Sequence, residues 1–171
     1  MSNANKRAHN EHLGHTQAER LALACDPNAS PEILTELHND YANSVRCAVA
    51  RNLKTPPEIL EEMRKDACWL VPMEVAGNPN ALAITLQRLS IAEELPIQCR
   101  VAGNRNTPQE TLFAMARSGC ERVLYFLSRN PSSDRNLLQL LCTSPRSSDR
   151  VKASARAALS AMYTTALCAG A

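Results

Sequence analysis

The chain has 171 residues, 44% of them hydrophobic, and its 19 Lys and Arg against 17 Asp and Glu leave a formal net charge of +2. That is enough apolar material for one domain, and the charge by itself points to no class of partner. Aromatic residues make up only 4% of the chain, which suits small-residue helix packing rather than a sandwich or a barrel.

The first sixteen residues, MSNANKRAHNEHLGHT, are polar, with Leu13 the one large apolar side chain after Met1. They lack the apolar run of a signal peptide, and no later segment approaches the roughly 18 consecutive apolar residues of a membrane span, so a cytoplasmic location without membrane contact is expected. His9, His12 and His15 fall three apart, a spacing that can place imidazoles on one helical face. No carboxylate or cysteine is spaced to finish a tetrahedral site beside them, so residues 1–16 read as a polar tail and no metal is expected.

From residue 17 onward the chain repeats itself. Residues 19–37, 45–63, 71–89, 97–115 and 123–141 align without a gap, which places Asp26, Asn52, Asn78, Asn104 and Asn130 in one column at a constant spacing of 26. Leu34, Leu60, Leu86, Leu112 and Leu138 form a second column, and Ala24, Ala50, Ala76, Ala102 and Ser128 a small-residue column. A single globular core imposes no such period, so each copy is a structural unit that buries its apolar side by stacking on its neighbours.

Each copy reads as two helices. The first, about ten residues long, ends near the reference Asn or Asp, where Gly77 and Gly103 suit a left-handed terminating residue and Pro27, Pro79 and Pro131 follow the stop. The second opens on Thr55-Pro56-Pro57-Glu58 or Thr107-Pro108-Gln109-Glu110, which matches a capping box; Ser30-Pro31 is a weaker form. Ile33, Leu34 and Leu37, then Ile59, Leu60 and Met63, make one apolar stripe, with Glu36, Glu61 and Glu62 on the wet side. The Asn and Asp of the reference column read as turn residues whose side chains bond nearby backbone.

The third copy is the least regular, since Trp69, Leu70 and Pro72 enter its first helix and Ala81–Ala83 replaces the Thr-Pro start. Trp69 is the only tryptophan; it reads either as an exposed binding anchor or as filler for the space left by Pro72. After Cys142 the period fails, and a helix over 148–167 with a Val151, Ala155, Leu159, Met162 and Ala166 stripe is the expected C-terminal cap. The organisation is therefore a tail (1–16), a repeat region (17–143) and a capping helix with its tail (144–171).

Seven cysteines stand at 25, 47, 68, 99, 120, 142 and 168. Cys47 and Cys99 share a column with Leu21 and Met73, as buried free thiols would, and no CxxC occurs, so neither zinc, disulfides nor a cysteine nucleophile is expected.

The VRxAVAxNxxTPxxxLxxL pattern of residues 45–63 and 97–115 resembles the variant leucine-rich repeat, a bacterial α-helical repeat class without β-strands. The resemblance covers roughly residues 17–143 and implies an all-α, right-handed α-solenoid of about five two-helix units, alternating α-helices with short 3₁₀ or α segments. The family's unit is shorter than the period of this chain, which brings these units closer to HEAT-like hairpins. A member of that class carries a cysteine-ligated iron–sulfur module ahead of its repeats; this chain has no matching cysteine cluster, and no cofactor is carried over.

Charge divides unevenly: nine Lys and Arg oppose eleven Asp and Glu in residues 1–90, and ten oppose six in residues 91–171. Positions 48, 74, 100 and 126, and 51, 77, 103 and 129, are expected to point outward from the first helices. They carry Arg51, Arg100, Arg129 and Phe126, which with Arg46 and Trp69 form the candidate partner-binding set. No catalytic motif accompanies them. The expected activity is a non-enzymatic scaffold that binds a protein or acidic peptide along an arginine face; nucleic acid on the same face, or a HEAT-like DNA-acting enzyme, are the alternatives.

Overall fold

The computed structural model describes residues 16–169. Among them there is no strand, and the helices are α1 (Gln17–Cys25), α2 (Pro31–Leu37), α3 (Asn43–Arg51), α4 (Pro57–Met63), α5 (Leu70–Gly77), α6 (Ala83–Leu89), α7 (Leu95–Gly103), α8 (Gln109–Ser118), α9 (Glu121–Arg129), α10 (Arg135–Thr143) and α11 (Asp149–Ala169). The ends of the odd helices from Cys25 to Arg129, and the starts of the even ones from Pro31 to Arg135, recur with the period of the sequence. The architecture is thus all-helical and repeat-like.

Two compact units divide the chain between Thr85 and Leu86. In the first, α1 packs on α3 and α3 on α5; in the second, α7 packs on α9, and α11 covers both α9 and α10. The reason lies in the columns. Ala24, Ala50, Ala76 and Ala102 are fully buried, and a methyl group is all that lets neighbouring first helices approach closely. Every leucine of the Leu34 column is buried as well, each contributing about 2 kcal/mol of hydrophobic stabilisation.

The helix stops differ from the sequence expectation. No left-handed residue is used: Asn52, Asn78, Asn104 and Asn130 cap their helices in extended conformation, with φ from −66° to −79°. Each cap holds its own turn, because its Oδ1 accepts the amide two residues on, as Asn78 does from Asn80 at 2.8 Å and Asn130 from Ser132 at 2.8 Å. The side-chain nitrogen then reaches the previous copy. Asn52 Nδ2 donates to the carbonyls of Ala24 and Asp26 at 2.9 and 2.8 Å, Asn78 to Ala50 and Asn52 at 2.8 and 2.9 Å, and Asn130 to Ala102 and Asn104 at 2.8 and 2.9 Å. Orphan carbonyls at one helix end are thereby satisfied by the next copy.

The expected capping boxes at Thr55 and Thr107 are also corrected. Pro56 and Pro108 occupy the N-cap positions and make no side-chain cap bond. The buried hydroxyls turn backward instead, Thr55 Oγ1 donating to the Val49 carbonyl at 2.5 Å, Thr107 Oγ1 to Val101 at 2.6 Å and Ser133 Oγ to Leu127 at 2.6 Å. A hydroxyl in this column closes the end of the first helix rather than the start of the second. A complete capping box does occur at the beginning of α1, between Thr16 and Glu19.

Pro72 falls in the first turn of α5, where its missing donor has no intrahelical partner, and that helix starts late, at Leu70. The last helix, α11, buries Val151 and Ala155 completely, and Leu159 and Met162 are half-buried further along. No described helix is long and apolar enough to cross a membrane.

Candidate binding surface

The second unit carries its most two-faced helix in α9, sequence ERVLYFLSR. Val123, Leu124 and Leu127 are fully buried, so Arg122, Tyr125, Phe126 and Arg129, at i, i+3, i+4 and i+7, form the opposite stripe. Tyr125 is half-buried and meets two cations. The Arg150 guanidinium of α11 sits 4.1 Å from its ring centroid and that of Arg129 5.8 Å away, while Arg129 Nη1 donates to the Tyr125 hydroxyl at 3.2 Å. Hydrogen bonding from Arg150, then from Arg129, holds the phenol pKa below its ordinary value. Phe126 meets Tyr125 edge-on, with centroids 6.2 Å apart.

Phe126 also lies against α7. A Cβ added at Gly103 would meet its ring edge at 3.5 Å, an ordinary van der Waals contact, so the ring packs against this end of α7. Arg100 and Arg129 are exposed on these packed helices. A cavity of about 510 Å³ opens beside the stripe, lined by Cys120, Glu121, Arg122, Tyr125, Phe126 and Arg150.

The arginines of the first unit are occupied differently. Arg20 is buried against Asp40 with Nε 2.5 Å from Oδ2. Arg46, expected at a docking face, is instead internal: its fork meets both Asp66 oxygens at 2.6 and 2.9 Å, and its remaining donors reach the Asp40 carbonyl and Asn43 Oδ1. Its pKa is raised by its hydrogen bonds to that carboxylate, and it lines a cavity of about 670 Å³ together with His38, Tyr41 and Lys65. Arg51 is exposed but joins Glu74 at 2.6 Å, and Arg64 joins Glu61 at 2.7 Å.

Of the positions expected to face outward, 51, 77, 103 and 129 are all exposed, and so is 100. Ala48 and Glu74 are buried instead, because their column turns toward the neighbouring first helix in the first unit. Trp69 is 45% exposed beside Leu70 at 39%, which makes it a rim residue at the N-cap of α5.

Sequence reasoning does not single out Tyr125 or Arg150. Tyr125 sits in the column of Leu21, Cys47, Met73 and Cys99, where it passes for a core residue, and Arg150 lies beyond the point at which the period breaks. The signal for Tyr125 is the spacing of Arg122 and Arg129 on either side of it.

The thiols show no assembled chemistry. Cys99 is buried and Cys47 half-buried, and burial raises both pKa values, while Cys25 and Cys120 are exposed. Among the described residues no group of three or more His, Cys, Asp or Glu is placed to hold a metal; His9, His12 and His15 lie outside them. The fold and surface define an all-helical, repeat-like protein with an arginine-rich, aromatic-backed face. No family model, curated protein or solved structure matches the chain.

Proposed function

We propose that the chain is a non-enzymatic binding scaffold, a superhelical α-solenoid of two-helix units akin to the variant leucine-rich repeats, whose first helices dock an acidic segment of a partner protein. One observation carries this reading. Among the described residues, Arg20, Arg46, Arg51 and Arg64 of the first unit each face a carboxylate, whereas Arg100, Arg122, Arg129 and Arg150 of the second unit face none within ion-pair distance. Two of these cations converge on a single tyrosine ring, where their mutual repulsion persists until an anion arrives. Arginine forks match carboxylates two bonds at a time, which favours an acidic peptide over a diffuse counter-ion cloud.

The test is binding of a labelled glutamate-rich peptide and of a single-stranded oligonucleotide at rising salt. A scaffold for acidic segments holds the peptide with an affinity that the R100Q/R129Q pair lowers at least tenfold. Tighter oligonucleotide binding, with an affinity falling steeply as salt rises, overturns the reading in favour of nucleic acid.

A further inference from the structure

We infer that the cavity between α9 and α11 takes a phosphate monoester, the phosphorylated side chain of the partner segment, an inference that rests on the acidic-segment reading above. Its volume of about 510 Å³ lies in the range of small-ligand clefts and leaves room for one phosphorylated side chain. Its lining is divided in the way such a group is divided. Cys120, Tyr125 and Phe126 offer a wall for the carbon stem, and Arg122 and Arg150 bring guanidinium donors to the same space. A third guanidinium, that of Arg129, is bonded to the phenol oxygen of the same Tyr125.

The count of donors separates phosphate from carboxylate. A carboxylate has one charge and two oxygens, and a single arginine fork satisfies it. A phosphate monoester carries about −1.5 to −2 charges near neutral pH and three free oxygens, so it uses more than one fork. Glu121, also at the cavity, offsets one positive charge, so an incoming anion needs both guanidiniums to outweigh it. The Cys120 N-cap of α9 makes no side-chain cap bond, so first-turn amides are left for an anion approaching from that side.

The experiment measures fluorescence anisotropy of a labelled glycine–alanine host peptide with phosphoserine, phosphotyrosine or glutamate at its centre. Inorganic phosphate serves as competitor, and a glutamate-rich peptide of equal length runs in parallel. At least one phosphopeptide binds tenfold or more tighter than the glutamate peptide; R122Q and R150Q each remove that advantage, and R51Q leaves it unchanged. The phosphoserine and phosphotyrosine arms tell which ester the cavity prefers. Equal affinity for phosphorylated and glutamate peptides overturns the inference, and so does full competition by inorganic phosphate at the same concentration as phosphopeptide, which marks an adventitious ion only. If the glutamate-rich peptide still binds through Arg100 and Arg129 in that case, the acidic-segment reading stands alone. Circular dichroism melts of R122Q and R150Q within a few degrees of wild type exclude misfolding as the cause, and Tyr125→Phe provides a second variant that keeps the wall while removing the phenol oxygen.

Discussion

The side-chain amide of Asn78 donates to the backbone carbonyl of Asn52 at 2.9 Å, so one reference residue holds the turn of the one before it. Asn52, Asn78 and Asn130 are buried and each makes three bonds: the oxygen closes its own turn and the nitrogen spans two carbonyls of the preceding copy. Aspartate has no donor for those carbonyls. It occupies the column only at position 26, where the side chain is exposed and closes its own turn alone.

Replacing Asn78 by Ala is therefore expected to cost about 2–4 kcal/mol, since two buried carbonyls lose their donor. Asn78→Asp costs more near neutral pH, because a carboxylate then faces those carbonyls. Asp26→Asn leaves stability within about 0.5 kcal/mol, as surface substitutions do. Urea denaturation of the three variants checks the order; equal losses at 26 and 78 contradict the inter-copy role.

Arg46 and Asp66 form the second internal tie. Both side chains are nearly buried, at 8% and 10% exposure, and the pair is bidentate. Arg46→Met strands a carboxylate that keeps a bond from the Cys68 amide at 2.8 Å, and is expected to cost about 3 kcal/mol. Denaturation at pH 7 measures this cost, and the double variant R46M/D66N recovers part of it if the loss comes from the unpaired charge.

These ties show what a single sequence reveals and what it hides. The Leu34 and Ala24 columns were legible because packing demands the same residue type at each recurrence. The asparagine column was legible as a turn but not as a link, since its second set of partners lies one full period away and a letter carries no direction. Thr55 misled for a related reason. A hydroxyl before two prolines satisfies the capping-box spelling, yet Pro56 takes the cap and the threonine faces the helix behind it.

The pairing of Arg46 was not read, because its charge was taken without its partner. The signal was present: Arg20 and Asp40, like Arg46 and Asp66, lie twenty residues apart, and both columns lose their charge together at Pro72 and Ala92. Arg150 gave no such signal, because α11 starts at Asp149, out of step with the period that sets the start of α9 at Glu121.

The thiols offer a test of burial. Burial raises the pKa of Cys99 and Cys47, so little thiolate forms at neutral pH and labelling in native buffer is slow. Cys25 and Cys120 are exposed and react before Cys47 and Cys99, as peptide mapping after a timed pulse of iodoacetamide resolves. The sign for stability follows: because the folded state favours the neutral thiols, their contribution is complete below the ordinary thiol pKa of about 8.5 and is lost as pH rises through the raised values. Rapid native labelling of Cys99 contradicts its burial.

Tyr125 gives an optical readout of the arginine cluster. Hydrogen bonds from Arg150 and Arg129 favour the phenolate, so this tyrosine titrates below the ordinary value of about 10. A group with a depressed folded pKa adds stability as pH rises above that pKa, the opposite sense to the thiols. Difference absorbance in the phenolate band is expected to show an early tyrosine step in wild type that moves to higher pH in R150Q and R129Q. An unchanged titration in both variants means that the guanidiniums do not rest on the ring in solution.

Reversal of charge at single arginines separates the internal from the available ones. Arg51 holds Glu74, whose side chain is only 10% exposed, so Arg51→Glu removes a partner and sets two carboxylates together; a loss of roughly 1 kcal/mol is expected, discounted for the exposure of Arg51. Arg100 and Arg129 face no carboxylate among the described residues, so Arg100→Glu breaks nothing and Arg129→Glu gives up its tyrosine contact alone. Their melting temperatures stay within a few degrees of wild type. Binding of an acidic peptide shows the reverse pattern: R100E and R129E lose it, whereas R51E, destabilised but folded at room temperature, retains it. Should R51E alone abolish binding, the docking face belongs to the first unit, and the exposed Trp69 becomes the next residue to replace.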